Sequence, residues 1–241
     1  MAKYNPKHRR SIRNTKAYKN NTFLNSREAR SLRVLCELEE PRVRLKRIGI
    51  QHMVSFFGSA RLGESHPDYT AAYTIAYKLG EWLKKHTNNV GISSGGGPGI
   101  MEAVNAGAFD SGCNSIGMGI SLPFEQRNNE FISTDLDFEF HYFFTRKYWC
   151  VYLSKAFVVM PGGVGTLDEL SEILTLIQTK KITIDVPIVL YNSEFWNNTV
   201  NFQNMVDYGT ISKSDLDLFT ITDSVDETVK TVTQGLSLYL D

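Results

Sequence analysis

The chain has 241 residues, 42% of them hydrophobic and 12% aromatic, which is enough to bury the core of one large α/β domain. No apolar run approaches the roughly 20 residues that span a bilayer, and the basic start lacks the apolar stretch of a secretory signal. The three cysteines and five histidines show no metal-ligand spacing. We therefore expect a cytoplasmic protein with reduced thiols and without a bound metal.

The net charge of zero conceals an uneven distribution. Residues 1–47 contain 14 of the 26 Lys and Arg but 4 of the 26 Asp and Glu, so the rest of the chain is acidic. This division predicts a basic, partly helical extension over 1–47 and a main domain over 48–241. An arm docked on the body or on a partner subunit is favoured. A nucleic-acid arm is disfavoured because the segment lacks interleaved aromatics and the acidic body would repel a polyanion.

In chain order, the extension shows helical spacing over 26–45, with Ser26 as a candidate cap and Pro41 as an interruption. The main domain then alternates strand and helix patterns. Strands are predicted at 52–57, 90–93, 114–120, 136–140, 155–160, 186–191 and 219–222, and helices at 67–86, from 100, 142–154, 170–179, 193–208 and 224–238. This alternation predicts a parallel sheet with helices on both faces, a three-layer α/β/α arrangement.

Three glycine turns follow predicted strands, at 58–61, 95–99 and 162–166. Ligands of such sheets bind at the carboxyl ends of the strands, so we expect the three turns to meet at one crevice. Gly162, Gly163 and Gly165 are expected to adopt positive φ and to let the backbone approach a ligand. The helix after them would offer free N–H groups to a phosphate. Glu169 would place a carboxylate about one turn inside that helix.

Two common nucleotide-binding motifs are absent from the sequence, and their absence limits which nucleotide is expected. The dinucleotide pattern G-x-G-x-x-G does not follow the first strand, and no Walker sequence ending in Gly-Lys-Ser/Thr occurs. The sequence therefore disfavours NAD, FAD and NTP hydrolysis, and we expect no cofactor. A mononucleotide with one phosphate at a helix N-terminus fits better.

Three stretches together resemble the LOG ("Lonely guy") family of cytokinin riboside 5′-monophosphate phosphoribohydrolases, often labelled lysine decarboxylases. They read Gly-Gly-Gly-Pro-Gly-Ile-Met-Glu over 95–102, Phe-Thr-Arg-Lys over 144–147 and Pro-Gly-Gly-Val-Gly-Thr-Leu-Asp-Glu over 161–169. The resemblance covers roughly residues 50–235. It implies a Rossmann-like doubly wound fold, a homodimer or larger assembly, and hydrolysis of the N-glycosidic bond of AMP or an N6-substituted AMP.

The resemblance also implies roles for individual residues. Glu169 would stabilise positive charge at C1′ and activate water, and Arg146 would hold the phosphate or ribose or assist the leaving purine. The candidate substrate-binding residues are Gly162, Gly163, Gly165, Thr166, Lys147, Glu102, Gly96, Gly97, Thr175 and Arg61. Glu102 is a candidate for the ribose hydroxyls or the base, and Thr175 matches a substrate-contacting threonine of the family.

Other interpretations of the same residues remain open. A structural interpretation assigns Asp168 and Glu169 only to the helix dipole, Arg146 and Lys147 to a solvated helix face, and Arg61 to the surface. His141 is assigned to the core or an interface rather than to a catalytic base. The nearby aromatics at 142–144 and 148–149 are assigned to the core, with one of them available to stack on a purine. The alternative functions are a nucleotide-binding carrier without hydrolysis and a pyridoxal-dependent decarboxylase using Lys147 or Lys155.

Overall fold

A computed structural model describes residues 16–122, 128–182 and 186–239 of the protein. Seven strands of this part of the chain form one sheet in the order β4-β3-β2-β1-β5-β6-β7. Every neighbouring pair is parallel. The strands are β1 His52–Phe57, β2 Val90–Ser94, β3 Ser115–Ile120, β4 Asp137–Phe140, β5 Ser154–Val159, β6 Ile188–Tyr191 and β7 Thr220–Thr222.

The direction of strand order reverses between β1 and β5. Strands β2, β3 and β4 lie in sequence on one side of β1, whereas β5, β6 and β7 lie in sequence on the other. Loops that leave the two central strands diverge at such a point, and a crevice opens between them. The turn after β1 and the glycine stretch after β5 therefore face each other across this crevice.

Helices cover both faces of the sheet. They are α1 Asn21–Leu24, α2 Arg30–Ile48, α3 Pro67–His86, α4 Ile100–Asp110, α5 Phe143–Tyr152, α6 Val164–Gln178, α7 Ser193–Thr199, α8 Phe202–Asp207 and α9 Val225–Leu236. One buried cluster joins the sheet to α3, α4 and α9, and the other joins it to α5, α6 and α7. The predicted three-layer α/β/α fold is confirmed.

Local chemistry explains several element ends. Pro67 begins α3, where its missing N–H costs no hydrogen bond, and the His66 side chain accepts from the Asp68 N–H at 3.2 Å. Gly49 ends α2 in the left-handed conformation with φ of 91°. Ser224 caps α9, because its side chain accepts from the Glu227 N–H at 3.2 Å.

Two predictions for the N-terminal extension, the interruption at Pro41 and the cap at Ser26, are wrong. Pro41 does not interrupt the helix, because α2 continues through it to Ile48, and Ser26 does not cap it, since the residue at the cap position is Ala29. Proline removes the N–H that would bond to the carbonyl four residues earlier. That carbonyl belongs to Glu37, and the indole N–H of Trp149 donates to it at 2.8 Å. The tertiary contact thus replaces the missing helical bond. Residues 1–15 of the predicted extension lie outside the described residues.

Two other helix predictions also need correction. The helix predicted over 193–208 is two helices, because the chain leaves helical geometry after Thr199 and the Asn201 side chain caps α8 by accepting from the Asn204 N–H at 2.9 Å. Helix α6 begins at Val164 rather than at Leu170. Its first turn therefore contains the second half of the glycine stretch.

Candidate active site

The three glycine turns meet at the carboxyl edge of the sheet, as predicted. Residues 58–61, Gly95 and residues 163–166 line one cavity of about 570 Å³, together with Arg146 and Glu169. Cavities of roughly 300–1,000 Å³ are typical of small-molecule sites. The remaining lining residues are Phe56, Phe57, Met101, Phe143 and Asp168.

The N-terminus of α6 forms one wall of the cavity. Gly163 is its N-cap residue and supplies no side-chain acceptor, so the first N–H groups of the helix have no partner within the helix. A Cβ built at Gly163 or Gly165 meets no atom within 4 Å. Unpaired N–H groups beside open space, at the positive end of a helix, are suited to an anion such as a phosphate.

The predicted positive φ of this stretch is wrong. Gly162, Gly163 and Gly165 all lie outside the left-handed region. Gly162 is needed for space, because a Cβ there would lie 2.1 Å from Oγ1 of Thr166. Thr166, which is buried, thus packs directly against the loop that precedes its own helix. Gly162 itself borders a neighbouring cavity with Pro161 and Asn192 rather than the one lined by Glu169.

A buried ion pair lies beside this wall. Nη1 of Arg146 is 3.1 Å from Oε1 of Glu169, and the two side chains are 13% and 6% exposed. Nε of Arg146 donates to the carbonyl oxygen of Met118 at 2.8 Å, which fixes the plane of the guanidinium. Gly95 makes room for this arrangement, since a Cβ there would lie 2.7 Å from Nη2 of Arg146. The pair connects α5 to α6 across the cavity.

The carboxylate of Glu169 is only half satisfied. Its Oε2 atom is buried and has no hydrogen-bond partner among the described residues. Burial raises the pKa of Glu169, while the charges of Arg146 and Lys147 act to lower it, and the net shift is upward. A carboxylate with a raised pKa and one free oxygen can accept a hydrogen bond or a proton from a bound water.

Lys147 does not line the cavity. Its Nζ lies 2.9 Å from Asp168 and 2.7 Å from Glu172, and it is not among the residues that line the cavity. Burial acts to lower the pKa of Lys147, but its hydrogen bonds to Glu172 and Asp168 and the charges of Glu169 and Glu172 together outweigh burial and raise that pKa. The structure thus gives the Arg146-Lys147 pair two different environments.

The second glycine turn contributes less lining than expected. Gly95 borders the cavity, but Gly96 and Gly97 do not, and Met101 borders it in place of Glu102. The side chain of Asn129 donates to the carbonyls of Gly96 and Gly97 at 3.0 and 3.1 Å and to Asn105 at 2.9 Å. These bonds hold the turn rigidly against the protein.

The other candidates are divided between the cavity and its surroundings. Arg61 is exposed and lines the cavity, whereas Thr175 is exposed and bonds back to Ser171 without lining it. Trp149 is buried, as predicted for the aromatics, but Phe143, Phe144 and Tyr148 are 55%, 54% and 41% exposed. The core assignment is therefore wrong for these three side chains, and Phe143 lies at the cavity. His141 is exposed and is not a core residue, so its place at an interface stays a prediction.

Sequence reasoning missed two contributors to the site. The carbonyl of Met118 orients Arg146, and a backbone acceptor has no sequence signature. Asn129 lies in a polar stretch with no distinguishing pattern. Phe143 is one of the aromatics from which a stacking residue was expected, and its place three residues before Arg146 puts it on the same side of α5.

Known proteins are similar to this chain over 70–75% of its length. A protein-family model described as "Possible lysine decarboxylase" matches residues 101–232, more than half of the chain. The protein named Cytokinin riboside 5′-monophosphate phosphoribohydrolase LOG1 of Arabidopsis thaliana is 30% identical over 173 residues, 70% of this chain and 78% of that protein. This chain belongs to the LOG family.

A second relative and a solved structure extend the LOG-family comparison. The protein named Probable cytokinin riboside 5′-monophosphate phosphoribohydrolase LOG4 of Oryza sativa subsp. japonica is 28% identical over 184 residues, 75% of each chain. The X-ray structure of TM1055 has a TM-score of 0.53 at 19% identity and covers 76% of this chain and 99% of its own. At that identity the structural likeness concerns the fold alone.

Neither a metal-binding cluster nor a membrane-spanning helix occurs in the described ranges. No group of three or more His, Cys, Asp or Glu within 16–122, 128–182 and 186–239 could hold a metal ion. No helix in the same ranges is long and apolar enough to cross a bilayer.

Proposed function

We propose that the protein hydrolyses the N-glycosidic bond of a purine nucleoside 5′-monophosphate, AMP or an N6-substituted AMP. Water adds to C1′, the C1′–N bond breaks, and the purine leaves with a proton, which gives free base and ribose 5-phosphate. The names of the relatives support this reaction class, and the cavity volume suits one mononucleotide. The observation that carries the proposal is the half-satisfied Glu169 beside the open N-terminus of α6.

Each wall of the cavity has a part in this reaction. The N–H groups at the start of α6, with Thr166, hold the 5′-phosphate, and Arg61 adds a positive charge from the opposite turn. Cleavage proceeds through a transition state in which positive charge develops on the ribose ring. Glu169, which lines the cavity, stabilises that charge and accepts the proton of the attacking water.

Arg146 has a double part in the proposed reaction. Its ion pair keeps Glu169 available in the charged form against the effect of burial. Its remaining donor, Nη2, is directed toward Gly95 at the cavity wall and is available to the phosphate or to a nitrogen of the leaving purine. Phe143, exposed at the same wall, offers a flat apolar surface on which a purine can stack.

The alternatives have less support. A pyridoxal-dependent decarboxylase needs a lysine for its Schiff base, and no lysine is among the described residues that line the cavity. Lys155 lies in β5 and Lys147 is paired with two carboxylates. A nucleotide carrier needs the free N–H groups at the start of α6, but it has no use for a buried carboxylate with an unpaired oxygen. Burying such a carboxylate costs folding free energy.

We also propose that the protein forms a homodimer and is located in the cytoplasm. A homodimer is supported by the exposed aromatics Phe144, Tyr148 and Tyr152 on α5, which continue from the cavity wall. A cytoplasmic location agrees with the free thiols of the described cysteines.

The test of the proposed reaction separates catalysis from binding. Glu169→Gln keeps the shape of the side chain and removes its charge, so we expect kcat on AMP to fall by about 10³-fold while the Kd changes little. The matched control is Glu172→Gln, one turn along α6, which we expect to retain most of the activity. Base release measured by chromatography and AMP affinity measured by calorimetry decide the result. Full activity of Glu169→Gln would refute the proposed role.

A further inference from the structure

The first turn of α5 is capped by a carboxylate from the basic extension. Glu37 of α2 accepts from the N–H of His141 at 2.9 Å, from the N–H of Tyr142 at 3.3 Å and from the hydroxyl of Thr145 at 2.5 Å. Tyr142 is the N-cap residue of α5 and makes no side-chain cap bond of its own. A carboxylate at this end of a helix also opposes the positive end of the helix dipole.

The same residue holds the next turn of α5. The backbone carbonyl of Glu37, freed from helical bonding by Pro41, accepts the indole N–H of Trp149 at 2.8 Å. Thr145 is fully buried and Trp149 is 2% exposed, so both anchor points are shielded from water. Side chain and backbone of Glu37 together fix the helix at two points one turn apart.

Arg146 lies between these two anchor points. It follows Thr145 directly, and its guanidinium reaches Glu169 and the carbonyl of Met118. A rotation or slide of α5 would move the guanidinium away from Glu169. Positioning errors of about 1 Å can cost an enzyme up to about 10²-fold in rate.

We infer that Glu37 is a positioning residue, through which the N-terminal extension holds α5 so that Arg146 faces Glu169 and the nucleotide. The inference deepens the proposed function and rests on it. Residue 37 lies outside both the segment matched by the family model and the stretch of sequence resemblance. The extension is therefore part of the working site rather than a separate nucleic-acid arm.

The experiment compares three full-length variants. Glu37→Ala removes the cap, and Glu37→Gln retains one acceptor oxygen. Glu39→Ala is the matched control on the same helix, because Glu39 pairs only with the exposed Arg42 in the described part of the chain. The readouts are kcat and KM on AMP, the pH profile of kcat, thermal unfolding, and amide hydrogen exchange along α5.

We expect Glu37→Ala to lower kcat by about tenfold and Glu37→Gln to recover part of the loss. Since Arg146 lowers the pKa of Glu169, a displaced Arg146 should move the acidic limb of the kcat profile to higher pH. A purely structural role would lower the unfolding temperature without moving that limb. Exchange should accelerate at the start of α5 in Glu37→Ala but not in Glu39→Ala.

The outcomes distinguish this inference from the proposed function. If the wild type releases base, and Glu37→Ala matches Glu39→Ala in kcat and in pH profile, the inference is overturned and the function stands. If the wild type releases no base from any nucleotide, the proposed function is wrong. The role of Glu37 is then judged from two measurements, the rate of amide hydrogen exchange in α5 and the affinity for AMP. Faster exchange with weaker AMP binding in Glu37→Ala supports it, and unchanged values overturn it.

Discussion

The two glycine stretches that open α4 and α6 look alike in sequence but differ in the structure. Gly96 and Gly99, before α4, have φ of 73° and 69°, and a Cβ at Gly99 would lie 2.6 Å from the carbonyl oxygen of Ser59. Gly163 and Gly165, before and within α6, have ordinary φ and open space beside them. Gly96 and Gly99 are needed so that the protein can pack against itself, whereas Gly163 and Gly165 face the cavity.

This difference assigns the two turns separate tasks. The α4 turn is a frame, tied to the protein by Asn129 and by the Ile100 N–H, which donates to the carbonyl of Ser59 at 2.9 Å. The α6 turn is a cradle, whose N–H groups are left for a ligand. Glycine in a loop therefore indicates a nucleotide site only where the missing side chain leaves space for the nucleotide.

After Glu169→Gln, the largest effect is expected at Arg146, which lies between Gly95 of the α4 turn and Glu169 of α6. Arg146→Ala should lower kcat/KM on AMP by about 10²-fold or more, because it removes the donor beside Glu169 and leaves that buried carboxylate without a partner. Arg146→Lys should recover little, since an ammonium cannot reproduce the planar pair of bonds to Met118 and Glu169. Steady-state kinetics measure both variants. Activity of Arg146→Ala within about twofold of the wild type would remove Arg146 from the proposed reaction.

Alanine substitutions at Gly99 and Gly165 test the difference between the two glycine stretches. Gly99→Ala should destabilise the protein by about 1–3 kcal/mol in urea unfolding, because alanine is strained at that φ and meets the backbone of Ser59. Gly165→Ala should leave stability unchanged or raise it by about 0.5–1 kcal/mol, as expected for alanine in a helix. The same Gly165→Ala should weaken AMP binding by about tenfold by filling the space beside the N–H groups. Equal stability losses in both variants would contradict the distinction.

A smaller effect is expected from Lys147, which lies outside the cavity. Its charge lowers the pKa of Glu169, so Lys147→Met should raise that pKa further. Activity that needs charged Glu169 is present above its pKa and is lost as pH falls through it, so the acidic limb of kcat should move upward by less than about one pH unit. Lys85→Met, an exposed lysine on α3, is the control. A downward shift in Lys147→Met would show that the limb does not report Glu169.

The sequence predicted the fold well because strand and helix patterns alternate clearly. All seven strands occur where short apolar runs predicted them, and α3 has the predicted bounds of Pro67 to His86. The errors have two different causes. Pro41 stays helical because of a tertiary contact, since the Trp149 indole takes the place of the lost bond. The break near Asn201 is local, because its side chain caps a new helix within a pattern that looked continuous.

The site was predicted only in part, because motif spacing places residues near one another but does not fix the direction of their side chains. Motif spacing brought Arg146, Glu169 and the α6 cradle together, since each motif directly follows a strand or lies on a helix beside one. Side-chain direction is set by packing that the sequence does not display. Thus the adjacent Arg146 and Lys147 form separate ion pairs, Met101 replaces Glu102 at the cavity, and Glu37 reaches α5 from more than a hundred residues away.

Product analysis on a panel of nucleotides tests the central claim most directly. The wild-type protein would be incubated separately with AMP, N6-substituted AMP, GMP and adenosine, and base and sugar would be quantified together. We predict equal amounts of free purine and ribose 5-phosphate from AMP or its N6-substituted form, and little reaction of adenosine, which has no phosphate for the α6 cradle. Intact nucleotides throughout, or release of inorganic phosphate instead of base, would contradict the account.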